Sequence, residues 1–204
     1  MIVIIDYKMG NLRSVQKGFE RVGYKAVITN DPEVIEKASS IVLPGVGAFA
    51  DAMRHLEELG IKEVIINGIN SGKPFLGICL GLQLLFTDSE EFGYCKGLGV
   101  IKGRVIKFPD KPGMKIPHMG WNQLNIKKKA PVLQDIPDKV FTYFVHSYFV
   151  VPEDKEVITT ITEYNGIEFT SMIWKDNIYG MQFHPEKSQI QGLIMLKNFG
   201  LLSC

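Results

Sequence analysis

Phe75-Leu76-Gly77-Ile78-Cys79-Leu80-Gly81-Leu82-Gln83-Leu84-Leu85-Phe86 joins two apolar runs through one cysteine, with a glycine two residues to either side. Phe75 to Ile78 is a continuous apolar run, the pattern of a strand buried on both faces. Leu80 to Phe86 reads as a helix directly behind it. The same alternation runs upstream. Ile2 to Ile5 is a first strand. After the Gly10-Asn11 break, Asn11 can cap a helix that carries Leu12, Val15, Phe19 and Val22 on one stripe. Lys25 to Thr29 is a second strand, and Asp31-Pro32 opens a short helix. Ile41-Val42-Leu43 is a third strand, ended by Pro44-Gly45-Val46-Gly47, and a long helical stretch with Phe49, Met53 and Leu56 follows. Strands alternating with helices predict an α/β fold: a mostly parallel, mixed sheet with helices on both faces.

From about Val100 the texture changes to strands with few helices: Val100 to Lys107, Thr142 to Val150, Val157 to Tyr164, Phe169 to Trp174 and Ile178 to Gln182. A helix from about Ile190 to Leu202 follows. No repeat, low-complexity tract or Gly/Ser/Pro linker divides the chain, so residues 1–204 are expected to form a single domain. Lys127-Lys128-Lys129 reads as a solvated turn after a strand.

Composition narrows the function classes. Hydrophobic residues make up 46 % and charged residues 22 % of 204, a globular balance. The net charge of +1 supplies no field for nucleic acid or an anionic membrane. No apolar run approaches the ~20 residues that cross a bilayer, and Met1 to Asp6 lacks the basic lead of a signal peptide. The three cysteines, Cys79, Cys95 and Cys204, are widely spaced and odd in number, which suits a reducing cytoplasm and leaves a free thiol. Cys95 and Cys204 read as structural or incidental.

Gly77-Ile78-Cys79-Leu80-Gly81 is the thiol version of the G-x-S-x-G elbow. A nucleophile raised on a sharp strand-to-helix turn has a strained backbone, and the flanking glycines let neighbouring chain approach. The helix N-terminus favours thiolate over thiol. The competing reading of Cys79 is a buried structural cysteine. A thiol nucleophile needs a base held in one tautomer. Gln182-Phe183-His184-Pro185-Glu186 follows a late strand, and Pro185 biases His184 towards an extended backbone. His184 and Glu186 can then point to a common side, so that Glu186 binds one ring nitrogen while the other faces Cys79. A metal site is the weaker reading, since two further closely spaced ligands are missing.

At these residues the chain resembles class I, triad-type glutamine amidotransferases, of flavodoxin-like fold, over essentially its whole length. Leu76 to Gln83 is similar to their nucleophile box and Gln182 to Ser188 to their base box. Four further segments resemble the glutaminase subunits of imidazole glycerol phosphate synthases in particular: Ile5 to Leu12, Leu43 to Phe49, Pro117 to Asn122 and Tyr143 to Tyr148. Leu82, where a methionine is frequent, departs from the pattern.

The resemblance implies Cys79 as nucleophile, His184 as general acid and base, and Glu186 as its orienter. It implies an oxyanion hole from the Gly45-Val46-Gly47 loop and the Leu80 N–H, and glutamine contacts from Gly45, Gln83, His146, Ser147 and Tyr148. It implies a cyclase partner, a (β/α)8 barrel that receives ammonia, in contact with Met9, Asn11, His118, Trp121 and Lys187. No cofactor or metal is implied. Plainer readings stay open at several positions. Gly45 to Gly47 can be a strand-end turn, His146 a packed strand residue, His118 and Trp121 core, Lys187 a surface lysine, and His55 a solvated helix residue. The chemical rivals are an amidotransferase serving another synthase, a silent regulatory subunit and a cysteine peptidase.

Overall fold

A computed structural model describes residues 1–203. Cys204 lies outside the described residues. The first half follows the alternation expected of it: β1 (Ile2–Ile5), α1 (Leu12–Arg21), β2 (Ala26–Thr29), α2 (Pro32–Glu36), β3 (Ser40–Gly45), α3 (Phe49–Glu58), α4 (Lys62–Asn70), β4 (Phe75–Cys79) and α5 (Leu80–Leu84). The second half holds β5 (Phe86–Ser89), β6 (Cys95–Lys96), β7 (Ile101–Lys107), β8 (His118–Gln123), β9 (Asn125–Ile126), β10 (Phe141–His146) and β11 (Tyr148–Pro152). It continues with β12 (Ile158–Tyr164), β13 (Ile167–Lys175), β14 (Ile178–Met181) and α6 (Gln189–Leu201).

One sheet runs in the order β2-β1-β3-β4-β14-β13-β11-β7-β5-β6, with β12 and β9 branching from β13. From β2 to β14 the strands are parallel; β14, β13, β11 and β7 then pair antiparallel. The mixed α/β fold is the expected one. A separate antiparallel pair joins β8 to β10.

The period of two along each strand sorts its side chains between two cores. Ile2, Ile4, Val42 and Leu76 pack with Val15 and Phe19 of α1 and with Met195, Leu196 and Phe199 of α6. Val3, Ile5, Ile41, Leu43 and Phe75 pack on the other face with α3 (Phe49, Met53, Leu56) and α4 (Ile65, Ile69). Each such side chain, fully buried, contributes roughly 1.5–3 kcal/mol. Asn11 caps α1 by accepting from the Ser14 N–H at 3.4 Å, and Asp31 caps α2 ahead of Pro32.

Five local expectations are corrected. The long helix after β3 is two helices, separated where Gly60 turns to φ +66°. The helix behind Cys79 ends at Leu84, because Phe86 is taken into the sheet beside Ile101. The strand expected from Thr142 to Val150 is two, β10 and β11, in different sheets with Ser147 at the break. β3 continues through Pro44 and Gly45; its pairing with β1 has ended at Val42, so Pro44 faces an edge-like stretch where a missing N–H is tolerated. His118 to Gln123, read only as a motif, forms a strand. Lys127 to Lys129 do form an exposed turn after β9.

The register of β14 on β4 positions everything below. Met181 lies beside Ile78, so the chain leaves both strands at the same edge, with Cys79 on one and Gln182-Phe183-His184 on the other.

Candidate active site

Cys79 ends β4 with φ +55° and ψ −107°, a left-handed conformation that costs an L residue about 1–3 kcal/mol. The glycines on either side make the bend sterically possible. A Cβ on Gly77 would lie 2.6 Å from the Gly81 carbonyl oxygen, and one on Gly81 would lie 1.7 Å from that of Leu43. The turn thus packs main chain on main chain, and the sulfur is left at the start of α5 facing a cavity.

His184 follows β14 in an extended conformation, φ −99° and ψ 97°, with its own N–H donated to the Tyr143 carbonyl at 2.9 Å. Its Nδ1 lies 2.9 Å from Glu186 Oε1, and the two side chains are only 4 % and 1 % exposed. An ionised carboxylate can only accept, so Nδ1 carries a proton and Nε2 is the nitrogen left for Cys79. Burial alone would pull the imidazole down. The charge of the nearby Cys79 sulfur, followed by Glu186, outweighs it and raises His184 well above the ordinary histidine range. Nε2 itself closes no aligned hydrogen bond. Ser188 fastens the loop, donating to the His184 carbonyl at 2.7 Å and accepting from the Tyr143 N–H at 3.0 Å.

The cavity at Cys79 has a volume of about 200 Å³, below the ~300–1,000 Å³ of drug-sized sites and on the scale of one amino acid. Val46, Gly47, Leu80, Gln83, His146 and Tyr148 line it, all singled out from sequence. Gly47 holds φ +100°, open to few residues but glycine. Gly45 and Ser147 do not line the cavity. Gly45 is buried behind it, where a Cβ would strike the Tyr7 hydroxyl, and Ser147 sits in the break between β10 and β11. A wider groove of about 870 Å³, between Ile126 and Asp138, holds none of these groups.

Three residues of the site were not singled out beforehand. Glu91 and Val145 line the cavity, and Gln182 places its amide Nε2 3.7 Å from the Cys79 sulfur. Glu91 is the one carboxylate among the lining residues. Burial raises it, the Phe49 N–H that it accepts at 2.6 Å opposes that, and Asp51 adds to the rise. It arrives on the turn after β5, a strand of which the sequence pattern assigns only Phe86, and to the preceding helix. No spacing pattern marks it.

Of the residues expected to meet a partner, Asn11 and Lys187 are exposed, Trp121 is 46 % exposed, and Met9 is half-buried. Lys187 Nζ lies 5.8 Å from the Tyr143 ring centre, and Trp121 packs edge-on to the same ring. His118 is the exception. Alternation along β8 turns Met119 and Trp121 outward and leaves His118 3 % exposed, stacked on Phe144 and bonded to His146, so it offers no contact surface.

A strained thiol at the C-terminal end of β4 and a carboxylate-oriented imidazole stand beside an amino-acid-sized cavity, the geometry of a candidate thiol-nucleophile site. Residues 3–201 match the glutamine amidotransferase class-I family. The fold is similar to a crystal structure of a glutamine amidotransferase, with TM-score 0.76 and 16 % identity over 100 % of this chain and 99 % of the other. PurLQS from Thermotoga maritima is similar at TM-score 0.74 and 20 % identity, over 98 % and 95 %. The chain belongs to the class-I glutamine amidotransferases, glutamine-hydrolysing enzymes. It is 58 % identical over 204 residues to "Imidazole glycerol phosphate synthase subunit HisH" of Geobacter sulfurreducens, covering 98 % of this chain and 97 % of that one. It is 57 % identical to the protein of the same name from Aquifex aeolicus, covering 97 % and 94 %. Within the class, it belongs to the HisH family.

Proposed function

We propose that this chain is the glutaminase subunit of an imidazole glycerol phosphate synthase of histidine biosynthesis, working as one domain over residues 1–204. The observation that carries this reading is the left-handed Cys79 beside an imidazole whose far nitrogen is held by Glu186. The Cys79 sulfur attacks the side-chain carbonyl carbon of glutamine, and the oxygen takes up negative charge. Backbone N–H groups of the Val46-Gly47 loop and of Leu80 receive that charge, each typically worth ~3 kcal/mol in the transition state. The adduct collapses, the C–N bond breaks, and His184 protonates the departing nitrogen as ammonia. Water deprotonated by His184 then attacks the γ-glutamyl thioester; the C–S bond breaks and glutamate leaves.

Glu91 supplies the negative charge that suits the α-ammonium of glutamine, while Gln83, His146, Ser147 and Tyr148 shape the rest of the subsite, with Gly45 beneath the oxyanion loop. Ammonia released into bulk water at neutral pH is captured as ammonium, so the product passes to a docked cyclase, a (β/α)8 barrel. Met9, Asn11, Trp121 and Lys187 face that partner. The setting is the cytoplasm. Among the described residues no helix is long and apolar enough to cross a membrane.

The test is Cys79→Ala in the complex with cyclase. Glutamine-dependent synthesis is abolished while synthesis from added ammonium persists; loss of both would assign Cys79 a structural role, and retained glutamine turnover would refute the nucleophile.

A further inference from the structure

A main-chain carbonyl and a side-chain amide contact the Cys79 sulfur, and they act in opposite senses. The Val145 carbonyl oxygen lies 3.8 Å from Sγ, and the Gln182 side-chain Nε2 lies 3.7 Å from it. A carbonyl can only accept, so Val145 engages the protonated thiol. An amide N–H can only donate, so Gln182 engages the sulfur when it bears charge. Once the thiol proton has gone to His184, the Val145 contact has nothing left to accept and the Gln182 donor remains.

Which end of the Gln182 amide meets the sulfur is set from outside. The main-chain oxygen of Tyr148 lies 3.0 Å from Gln83 Nε2, and because that oxygen accepts only, Gln83 must present its NH₂ there. The same NH₂ lies 3.1 Å from Gln182 Oε1. Turning the Gln182 amide over would set two NH₂ groups against each other, so its oxygen faces Gln83 and its NH₂ faces Cys79. Tyr148 is itself held, since its oxygen also bonds to His146 Nδ1 at 2.8 Å. Gln182 is fully buried, so no water substitutes for its donor.

We propose that Gln182 is a further catalytic residue, a buried amide donor that stabilises negative charge on the Cys79 sulfur and is aimed by Gln83 and the Tyr148 carbonyl. The inference rests on Cys79 being the nucleophile. Gln182 acts twice in the cycle. It holds the attacking thiolate, and it receives the sulfur again when water breaks the C–S bond and the electron pair returns to it.

Gln182→Met keeps the volume and removes the donor. The experiment is peptide-resolved alkylation of Cys79 by iodoacetamide across pH, read by mass spectrometry alongside kcat and KM for glutamine in the cyclase complex. We expect alkylation at pH 7 to slow about tenfold, the scale of one hydrogen bond to a charged group, with the profile displaced to higher pH and kcat reduced while KM holds. A folded variant with a native alkylation profile overturns the proposal. Should Gln182→Met fail to fold, Gln182→Glu, which keeps an oxygen towards Gln83 and turns an acceptor on the sulfur, is read in the same way and alkylates more slowly still. Failure of the Cys79 assignment is separately visible as glutamine turnover in Cys79→Ala, whatever the Gln182 variants do.

Discussion

The Cβ that Gly81 lacks would lie 1.7 Å from the carbonyl oxygen of Leu43, so β3 and the first turn of α5 meet main chain to main chain. That contact fixes where the sulfur of Cys79 stands relative to the Val46-Gly47 loop, because β3 runs directly from Leu43 into that loop. No flexible atom is available to give way. Gly81→Ala should therefore destabilise the protein by about 3 kcal/mol or more, beyond the usual range of core overpacking. Urea unfolding of the purified variant measures this, and a midpoint close to native would mean that β3 and α5 can separate cheaply.

Glu91 meets the cavity as its one lining carboxylate and also anchors the start of α3 through the Phe49 N–H. Replacing it with glutamine keeps an acceptor for Phe49 and removes the charge proposed to face the substrate ammonium. The expected outcome for Glu91→Gln is a KM for glutamine raised roughly tenfold to a hundredfold, the scale of one charged hydrogen bond, with native thermal stability. Steady-state kinetics with the cyclase complex decides it; an unchanged KM would place the ammonium elsewhere.

His118 and His146 form a one-way chain of hydrogen bonds. His118 Nδ1 and His146 Nε2 are 2.9 Å apart, and His146 Nδ1 lies 2.8 Å from the Tyr148 carbonyl, which can only accept. His146 must therefore donate from Nδ1 and accept from His118, which keeps both rings neutral. Burial lowers His118 from 6.5 to about 4. Burial, then the charges of His118 and His184, lowers His146 to about 3 against an opposing hydrogen bond to Tyr148. Between pH 6.5 and about 4 the unfolded chain takes up protons at these sites and the folded chain does not. Their contribution is thus full above pH 6.5 and is lost as the solution is acidified through that window. His184 is raised instead, so its linkage runs in the opposite sense and cancels when the His118 variant is compared with the native protein. His118→Phe should flatten the fall in stability from pH 7 to pH 5 by on the order of 1–2 kcal/mol, measured as the difference in urea unfolding between variant and native. Parallel pH curves for the two proteins would remove the pair from the acid response.

Legibility in the sequence followed the range of the interactions. Ile2 to Ile5, the Asn11 and Asp31 caps and the bend at Cys79 depend mainly on neighbours within a few residues, and each formed as read, although the close approach that demands Gly81 comes from Leu43. Errors fell where a distant strand competed for a segment. Phe86 has helical company on its N-terminal side, yet pairing with Ile101 draws it into β5. His118 sits in a motif that looks like surface, and only the pairing of β8 with β10 turns it inward against Phe144 and His146.

By itself the sequence determined that this protein has a strained thiol turn on an α/β sheet, and a histidine with a carboxylate two residues on, because both are local and set by backbone sterics. Tertiary structure alone decided which nitrogen of His184 is held by Glu186, that Glu91 lines the cavity, and that Gln182 points its NH₂ at Cys79. Those outcomes depend on β14 lying beside β4 and on carbonyls such as that of Tyr148, brought close from far along the chain, which can accept hydrogen bonds but never donate them.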